Sequence, residues 1–344
     1  MPERSGILAA GNWIVDHIKL IDLWPSQDAL AIIQNETMGN GGSPFNVLID
    51  LSRLGAAFPL EGAGVIGTDE AGDWILEVCR ENRIDISSMR RTDAAPTSYT
   101  DVMTVASTGR RTFFHQRGAN ALLQGSDVRL ELSAAKLFHL GYLLLLDSLD
   151  TVCPDFGTKS AELLHRASEL GFITSADVVS EESDRYRQIV LPPLRYVDVL
   201  FMNEFEAAHV IDSKIRVGDS IDRGALFAAT ASLLEAGVRQ WVIIHFPEGI
   251  LAASPDGKRI FQPSLNLPIE QIKGATGAGD AVTAGVLLGY HEGLPIETCL
   301  VYGVCAATAC MMHPGASSGV LPLPKCLDFA NGLSFRPHAL GTAP

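Results

Sequence analysis

The sequence lacks two features common in membrane and nucleic-acid-binding proteins, a long apolar run and a concentration of basic residues. Its longest apolar stretch, from Leu137 to Leu146, contains His139 and Gly141 and is too short to span a bilayer. The 344 residues include 26 Lys and Arg against 40 Asp and Glu, and the net charge is −14. Because nucleic-acid binding depends on a basic patch, neither a nucleic-acid partner nor a membrane partner is expected.

The sequence also contains no CxxC pair of cysteines and no recognisable signal peptide. The six cysteines form no CxxC pair and lie mostly in apolar surroundings, which indicates buried, reduced thiols. The first residues, MPERSGILAAGNW, hold an apolar run too short for a signal peptide. We therefore expect a cytoplasmic protein. Its acidity does not exclude a phosphate-bearing ligand, because backbone amides at a helix start can hold an anion.

What the chain does contain is an alternation of short apolar strands and amphipathic helices. The predicted strands are 7–15, 60–66, 136–140, 172–176, 196–202, 241–246, and 250–253 with 259–261 as a hairpin. The predicted helices are 44–54, 70–81, 158–170, 223–236, 278–291 and 296–312. This alternation predicts an α/β protein with a mainly parallel sheet covered by helices on both faces. With no internal repeat and no long linker, we expect one domain over residues 1–335 and a tail at 336–344.

Two more polar segments, about 14–40 and 95–118, read as antiparallel strands outside the main sheet. The first contains an exposed strand at 29–38, and the second contains a hairpin of 97–104 with 111–116. We expect them to form one small sheet that projects from the main body. The sequence leaves open whether Arg111, His115 and Arg117 on that sheet face a ligand or a partner.

The segment KGATGAGDAVTAGVLLGY, residues 273–290, joins a glycine-rich turn to a helix with almost no polar face. Glycines before a helix allow close approach to its free amides, so Gly277, Ala278 and Gly279 suit a phosphoryl group in transfer. Asp280 beside them would repel a resting anion, but it suits a base that accepts the proton of an attacking hydroxyl. The alternative is that Asp280 has no catalytic role and lies at the helix start only because the helix dipole favours a negative charge there.

The stretch TGAGDAVTAG, residues 276–285, resembles the C-terminal signature of the pfkB, or ribokinase-like, carbohydrate kinases. Three further segments in that family's order are GGSPFNVLIDLSRLGA, GVIGTDEAGDWI and DVLFMNEFEA, so the resemblance covers roughly residues 6–318. It implies a three-layer α/β/α ribokinase-like fold. It also implies that the segments 14–40 and 95–118 form a small β-sheet lid, which closes over the substrate and often pairs with a second subunit.

By this resemblance, Asp280 is the catalytic base, and the amides of Gly277, Ala278 and Gly279 form the anion hole. The residues assigned to substrate hydroxyls are Asn12, Asp16, Gly41, Gly42 and Asn46. Those assigned to ATP are Asn203, Glu206, His245 and Gly249, with Glu206 reaching Mg²⁺ through water. Simpler roles stay open. They are a strand-end residue for Asp16, a structural amide for Asn46, a helix cap for Asn203 with Glu206, a loop residue without a ligand for His245, and solvated hairpin charges for Arg111, His115 and Arg117.

The chain departs from the family's pattern in three places. Gly274 and Ala275 replace the Asp and Thr of D-T-x-G-A-G-D, and since that Asp helps bind a monovalent cation in many relatives, activation by potassium is doubtful. HFPEG at 245–249 stands where T-L-G-x-x-G is usual, and only Asp177 of D-x-N-x-R is retained. These departures indicate an atypical subfamily.

The resemblance implies an enzyme, an ATP-dependent carbohydrate kinase that uses Mg²⁺, phosphorylates a primary hydroxyl of a small sugar or sugar acid, and forms a homodimer through the lid. A nucleoside kinase, such as an adenosine kinase, is the alternative among enzymes, because Trp13 and Phe45 lie near the substrate motifs. A non-catalytic nucleotide- or sugar-binding regulator is the alternative from another class. It is suggested by Gly274 and by the altered strand at 245–249.

Overall fold

The computed structural model describes residues 4–340 as a layered body of helices and strands with a small sheet beside it. In chain order, strands β1 to β17 are Ile7–Gly11, Ile14–Ile21, Ile33–Gly41, Leu60–Gly67, Ile84–Thr92, Ser98–Val105, Arg111–Gln116, Leu137–Leu143, Val152–Cys153, Gly157–Thr158, Ile173–Val178, Val199–Asn203, Arg216–Val217, Ser220–Ile221, Trp241–Phe246, Gly249–Ala253 and Arg259–Pro263. Helices α1 to α9 are Ser43–Leu54, Glu70–Glu81, Lys159–Glu169, Tyr186–Val190, Glu204–Ile211, Arg223–Glu235, Ala278–His291, Ile296–Met311 and Leu323–Gly332.

Nine strands form the main sheet in the order β17-β16-β15-β12-β11-β8-β1-β4-β5. All neighbours from β15 to β5 pair in parallel, and the antiparallel pairs are β15 with β16 and β16 with β17, at one edge. Parallel strands need crossover connections, and the helices between them supply these. The predicted mainly parallel sheet is confirmed, including the antiparallel hairpin at 249–263.

Helices cover both faces of this sheet and enclose two separate apolar cores. Ile7 and Ala9 of β1 face the core shared with α1, α2, α7 and α8, whereas Leu8 and Ala10 face the core shared with α3, α5 and α6. Successive side chains of a strand point to opposite faces, so a strand buried on both sides reads as a continuous apolar run. The predicted three-layer α/β/α architecture is therefore confirmed.

The predicted first strand, 7–15, is wrong as a single element. The chain leaves the main sheet after Gly11 and enters the small sheet at Ile14, with a break at Asn12 and Trp13. Gly11 has a φ of 136°, and a Cβ there would lie 1.6 Å from the carbonyl oxygen of Gly141. Hydrophobicity alone does not reveal this transfer, because the residues on both sides of the break are buried.

The small sheet has the strand order β3-β2-β6-β7 and lies over one end of the main sheet. β2 pairs antiparallel with β3 and parallel with β6, and β6 pairs antiparallel with β7. The expectation of one small sheet built from two distant segments is confirmed. We call this four-stranded sheet the lid.

Several elements were not predicted from the sequence, among them the edge strand β5, the helices α4 and α9, and the short strands β9, β10, β13 and β14. Residues 336–340, predicted as the start of a tail, pack against the body: the Arg336 amide donates to the Ser264 carbonyl, and Leu340 is buried. Residues 341–344, the rest of the predicted tail, lie outside the described residues. Within residues 4–340, none of the helices combines the length and apolarity that crossing a bilayer requires.

Candidate active site

A cleft of about 1200 Å³ lies between the carboxyl edge of the main sheet and the lid. Its walls come from the ends of β8, β11, β12 and β15, from the start of α7, and from one face of β2, β6 and β7. Ligands collect at this edge of parallel α/β sheets. The volume exceeds the roughly 300–1,000 Å³ of a single small-molecule pocket, so the cleft has room for two ligands.

The glycine-rich turn places free backbone amides at the start of α7. Gly277 has a φ of 75°, and a Cβ there would lie 2.4 Å from the Ala316 carbonyl oxygen, so the turn requires glycine. In the described part of the chain, the amides of Gly277 and Gly279 have no acceptor, and both residues line the cleft. The amide of Ala278, the third predicted member, donates to the Ala275 carbonyl at 3.3 Å. The turn therefore offers two free amides from the predicted set.

Asp280 lies in the first turn of α7 and is only 6% exposed. Its Oδ2 accepts a hydrogen bond from Asn46 Nδ2 at 2.8 Å, and the Tyr142 hydroxyl donates to both carboxyl oxygens at 2.9 Å. Burial and the charge of Asp177 raise the pKa of Asp280 to about 7, while the two hydrogen bonds lower it. A carboxyl group with this pKa is suited to accept a proton near neutral pH.

Asn46 connects Asp280 to the lid strand β3. Its Oδ1 accepts from Asn40 Nδ2 at 2.6 Å, and the same Asn40 nitrogen donates to Ser317 Oγ at 2.8 Å. The Asn46 amide is thus held on both sides, which fixes the position of the Asp280 carboxylate. Gly42, directly before α1, lines the cleft beside it.

Asp16 lies on β2 with its carboxyl group against the backbone of Gly41. A Cβ on Gly41 would lie 2.3 Å from Asp16 Oδ1, so glycine is needed for this contact. Burial and the charge of Asp280 raise the pKa of Asp16 well above its usual range, and a hydrogen bond from Thr100 lowers it. Asp16 lines the cleft, so two buried carboxyl groups face the same space.

Asn12 is buried behind this space rather than in the wall of the cleft. Its Nδ2 donates to the Leu145 carbonyl at 2.9 Å, and its Oδ1 accepts from the Tyr142 amide at 2.7 Å. The structure therefore places Asn12 where it holds the backbone that carries Tyr142. Its side-chain donors and acceptors are directed at that backbone.

A second buried polar cluster lies beside Asp280 and was not predicted. Ser43 Oγ donates to Asp177 Oδ2 at 2.5 Å and lies 2.9 Å from His139 Nε2, while His139 Nδ1 lies 2.9 Å from Ser175 Oγ. Asp177 lines the cleft, and its Oδ1 is buried without a partner in the described residues. The negative charge of Asp177 is one cause of the raised pKa of Asp280.

Asn203 and Glu206 form a capping box at the start of α5. The Glu206 amide donates to Asn203 Oδ1, and the Asn203 amide donates to Glu206 Oε2, both at 2.8 Å. Ser180 Oγ donates to Glu206 Oε1 at 2.7 Å, and burial raises the pKa of Glu206 to about 8. Both members of the box line the cleft. Within residues 4–340, no three or more His, Cys, Asp or Glu side chains are grouped to hold a metal ion.

His245, at the end of β15, and Gly249, at the start of β16, both line the cleft. The His245 ring covers the start of α7, because a Cβ on Gly279 would lie 2.9 Å from its Cε1. Burial lowers the pKa of His245 to about 4, so the ring is neutral at pH 7. Gly249 packs against β17, where a Cβ would lie 2.5 Å from the Gln262 carbonyl oxygen.

Arg111, His115 and Arg117, whose direction the sequence left open, all line the cleft. Arg111 Nη1 donates to Thr276 Oγ1 at 2.6 Å. His115 Nδ1 lies 3.0 Å from Thr100 Oγ1. Arg117 pairs with Asp147 at 2.7 Å. The lid therefore contributes charged and polar groups to the site.

Trp13 and Phe45 do not reach the cleft, although the sequence suggested them as a platform for a nucleobase. Both are completely buried, with ring centroids 5.1 Å apart, and Trp13 Nε1 donates to the Ala63 carbonyl at 2.9 Å. The suggestion is wrong because these side chains belong to the core beneath α1. Phe113 on the lid is instead the exposed aromatic residue that lines the cleft.

Comparison with solved structures shows that the fold is ribokinase-like. The Arabidopsis thaliana ribokinase complexed with ribose and ATP superposes with a TM-score of 0.78 at 21% identity, covering 95% of this chain and 98% of that one. The ribokinase of Giardia lamblia superposes with a TM-score of 0.78 at 18% identity, covering 94% of this chain and 99% of that one. At these identities the likeness concerns the fold.

Sequence comparison then identifies the family. The family model for pfkB family carbohydrate kinases matches residues 10–323, and the chain belongs to this family. Similar curated proteins include a nucleoside kinase of Methanothermobacter thermautotrophicus, 26% identical over 93% of this chain and 94% of its own length. They also include the probable fructokinase-7 of Arabidopsis thaliana, 25% identical over 91% of this chain and 90% of its own length. Sugar and nucleoside kinases are thus both among the relatives.

Proposed function

We propose that the protein is an ATP-dependent kinase that phosphorylates a primary hydroxyl of a small sugar or sugar acid. The single observation that carries this proposal is the position of Asp280. It is a buried carboxyl group in the cleft, next to the free amides of Gly277 and Gly279 at the start of a helix. Proton acceptor and anion hole are the two parts that phosphoryl transfer to an alcohol requires.

In the proposed reaction, Asp280 takes the proton from the substrate hydroxyl as its oxygen attacks the γ-phosphorus of ATP. The bond between that phosphorus and the bridging oxygen breaks, and ADP leaves with the electron pair. The amides of Gly277 and Gly279 stabilise the negative charge on the transferring group. Asn46 and Tyr142 hold the Asp280 carboxylate during this step, because each donates a hydrogen bond to it.

The acceptor end of the cleft is lined by polar groups suited to hydroxyls. The Asp16 carboxyl group can form hydrogen bonds with substrate hydroxyls, which both donate and accept. Gly42 also lines the cleft, whereas Gly41 is in contact with the Asp16 carboxyl group rather than with the cleft. These groups support a compact hydroxylated substrate.

The part of the cleft lined by Asn203, Glu206, His245 and Gly249 is proposed for ATP and Mg²⁺. Oxygen donors suit Mg²⁺, which usually keeps several water ligands. Because the oxygens of Glu206 already accept bonds from Asn203 and Ser180, Glu206 would hold the ion through water. When bound, the ion neutralises charge on the phosphates.

A nucleoside kinase is the second candidate, and one observation favours it. Phe113 lines the cleft from the lid and is 55% exposed, so its ring is free to stack on a base. The relative from Methanothermobacter thermautotrophicus that is named a nucleoside kinase supports the same function. A Phe113→Ala variant distinguishes the two: its KM rises for adenosine or cytidine if a nucleoside binds, and changes little for a sugar.

We also propose that the lid pairs two subunits. Its outer face carries exposed apolar side chains, and Trp24 stacks on Phe114 with ring centroids 6.0 Å apart. Each of these two residues is 50% exposed, and Tyr99 beside them is 37% exposed. An apolar surface of this kind marks an interaction site more often than a free surface.

The deciding experiment measures ADP formation with ribose, fructose, 2-keto-3-deoxygluconate, adenosine and cytidine in turn. Turnover with a sugar or sugar acid that is lost in Asp280→Asn supports the leading proposal, and turnover with a nucleoside alone supports the second. If ATP binds tightly and no acceptor is phosphorylated, the protein is a regulator on a kinase fold. That result would overturn both catalytic proposals.

A further inference from the structure

One row of side chains crosses the inner face of the lid, perpendicular to its strands. Asp16 of β2 pairs with Thr100 of β6, and Thr100 pairs with His115 of β7. Residues paired across neighbouring strands point to the same face. All three line the cleft. The row therefore presents its polar groups to whatever the acceptor end of the cleft binds.

The partners of His115 determine which of its ring nitrogens carries the proton. Nδ1 lies 3.0 Å from Thr100 Oγ1, a hydroxyl group that can either donate or accept a hydrogen bond. Thr100 directs its hydroxyl hydrogen to the Asp16 carboxylate. Because Thr100 has only one hydroxyl hydrogen, its Oγ1 accepts a hydrogen bond from His115 Nδ1, which places the ring proton on Nδ1. Burial and the charge of Arg117 lower the pKa of His115 to about 4, so the ring is neutral.

His115 Nε2 is consequently a hydrogen-bond acceptor, and it is buried without a partner in the described residues. Buried polar atoms almost always have a partner, because an unsatisfied one costs free energy of desolvation. Within residues 4–340 no neighbouring donor reaches this nitrogen, because the Arg117 guanidinium is directed at Asp147 and Glu181. A donor from a ligand in the cleft would satisfy this nitrogen.

We propose that His115 determines specificity for the acceptor substrate: its Nε2 accepts a hydrogen bond from a hydroxyl or N–H of that substrate. The donor is a different group from the hydroxyl that Asp280 deprotonates. β2 and β7 are two strand spacings apart, about 10 Å between main chains, so His115 and Asp16 contact different parts of the ligand. This inference rests on the proposed function, because it assigns the acceptor to this end of the cleft.

Three substitutions at position 115 separate the two ring nitrogens. His115→Asn places a polar group near the position of Nδ1 and keeps the contact with Thr100, but it removes the acceptor at Nε2. His115→Gln places a carbonyl oxygen near the position of Nε2. His115→Phe removes both. Because leaving a buried donor unpaired costs about 1–3 kcal/mol, Phe and Asn should weaken acceptor binding by about 10- to 100-fold. His115→Gln should retain most of the affinity for the acceptor substrate.

Binding is measured by calorimetry on the full chain with ribose, fructose and adenosine, each without ATP, and turnover is measured with the substrate that binds. We expect KM to rise in His115→Phe and His115→Asn, with a much smaller change in kcat, and to be restored in His115→Gln. A monodeoxy analogue that lacks the recognised hydroxyl should bind wild type and His115→Phe equally. The matched control is His165→Phe, which places phenylalanine at a histidine packed on Phe156 and Tyr196.

Nitrogen-15 NMR of the histidine rings gives a readout independent of turnover. The expected spectrum has a protonated Nδ1 and an unprotonated Nε2 for His115, with the Nε2 resonance moving when the acceptor binds. A protonated Nε2, or unchanged acceptor affinity in all three variants, would overturn the assignment of His115 while leaving the kinase proposal intact. If none of the three acceptors binds the wild-type protein, the substrate class proposed here is wrong together with the role of His115.

Discussion

Arg111 of the lid and Thr276 of the glycine-rich turn are joined by a hydrogen bond of 2.6 Å from Nη1 to Oγ1. The bond ties β7 to the segment directly before Gly277, so the lid is closed over the cleft. It also places a guanidinium group next to the free amides at the start of α7. Burial lowers the pKa of Arg111, but an arginine keeps its charge at neutral pH.

Replacing Arg111 with alanine should lower kcat by about 10²-fold, because a positive charge beside the developing charge of the phosphoryl group is lost. Arg111→Lys should recover part of the rate. Thr276→Val is the matched control, since it removes the bond and leaves the charge in place. Steady-state kinetics on the three variants decides between the roles. Equal losses in Arg111→Ala and Thr276→Val would mean that Arg111 acts only by closing the lid.

Asp280→Asn should lower kcat by about 10²–10⁴-fold, the usual contribution of a general base. Affinity for ATP should change much less, because the amides that we propose face the phosphates are unaltered. Turnover assays and calorimetry with ATP measure the two quantities. Near-normal turnover in this variant would show that the proton goes elsewhere.

Tyr142→Phe should move the acidic limb of the kcat–pH profile to higher pH. The Tyr142 hydroxyl donates to both oxygens of Asp280 and lowers its pKa, which burial has raised to about 7. Removing this bond raises the pKa of Asp280 further. Asp280 is then protonated, and inactive as a base, at a higher pH than in the wild type. The variant should therefore be slow at pH 6 and approach the wild-type rate near pH 9.

The matched control for this profile is Tyr290→Phe. Tyr290 bonds to Gln240 on the far side of α7, away from the cleft. The Tyr290→Phe variant should therefore leave the kcat–pH profile unchanged. A loss of rate in Tyr142→Phe that is the same at every pH would assign Tyr142 to packing rather than to the protonation of Asp280.

Potassium should not activate the enzyme. The usual Asp of this position is replaced by Gly274, where a Cβ would lie 2.9 Å from the His313 carbonyl oxygen and 3.1 Å from Pro314 Cα. The backbone at 313–314 thus occupies the space that a side chain would need. Activity in potassium, sodium and tetramethylammonium chloride at equal ionic strength should agree. A severalfold rise with potassium alone would reveal a cation site built from other groups.

If the lid pairs two subunits, replacing Trp24 and Phe114 with serine should convert a dimer to a monomer. Both residues are half exposed and stack on each other, so the substitutions remove apolar surface without opening the core. Sedimentation velocity at micromolar concentration measures the change. A wild-type protein that sediments as a monomer would refute the interface.

Much of the site is visible in the sequence because its key parts are local. Gly277, Gly279 and Asp280 are consecutive parts of one turn and helix start, and the capping box of Asn203 and Glu206 spans four residues. Local backbone geometry follows from such patterns. Tyr142 was not predicted as a site residue. It lies near the carboxyl end of β8, just as Asn203, which was predicted, lies at the carboxyl end of β12.

The sequence by itself determined the alternation of strands and helices, the glycine turn and the carboxyl group behind it, because each depends on neighbours in the chain. Only the tertiary structure decided what contacts that carboxyl group. Tyr142 and Asp280 are 138 residues apart, and Arg111 and Thr276 are 165 apart. Only the packing of the lid and two strand ends around one cleft brings them together. The same packing buried Trp13 and Phe45 and turned His115 inward, since burial depends on which faces meet.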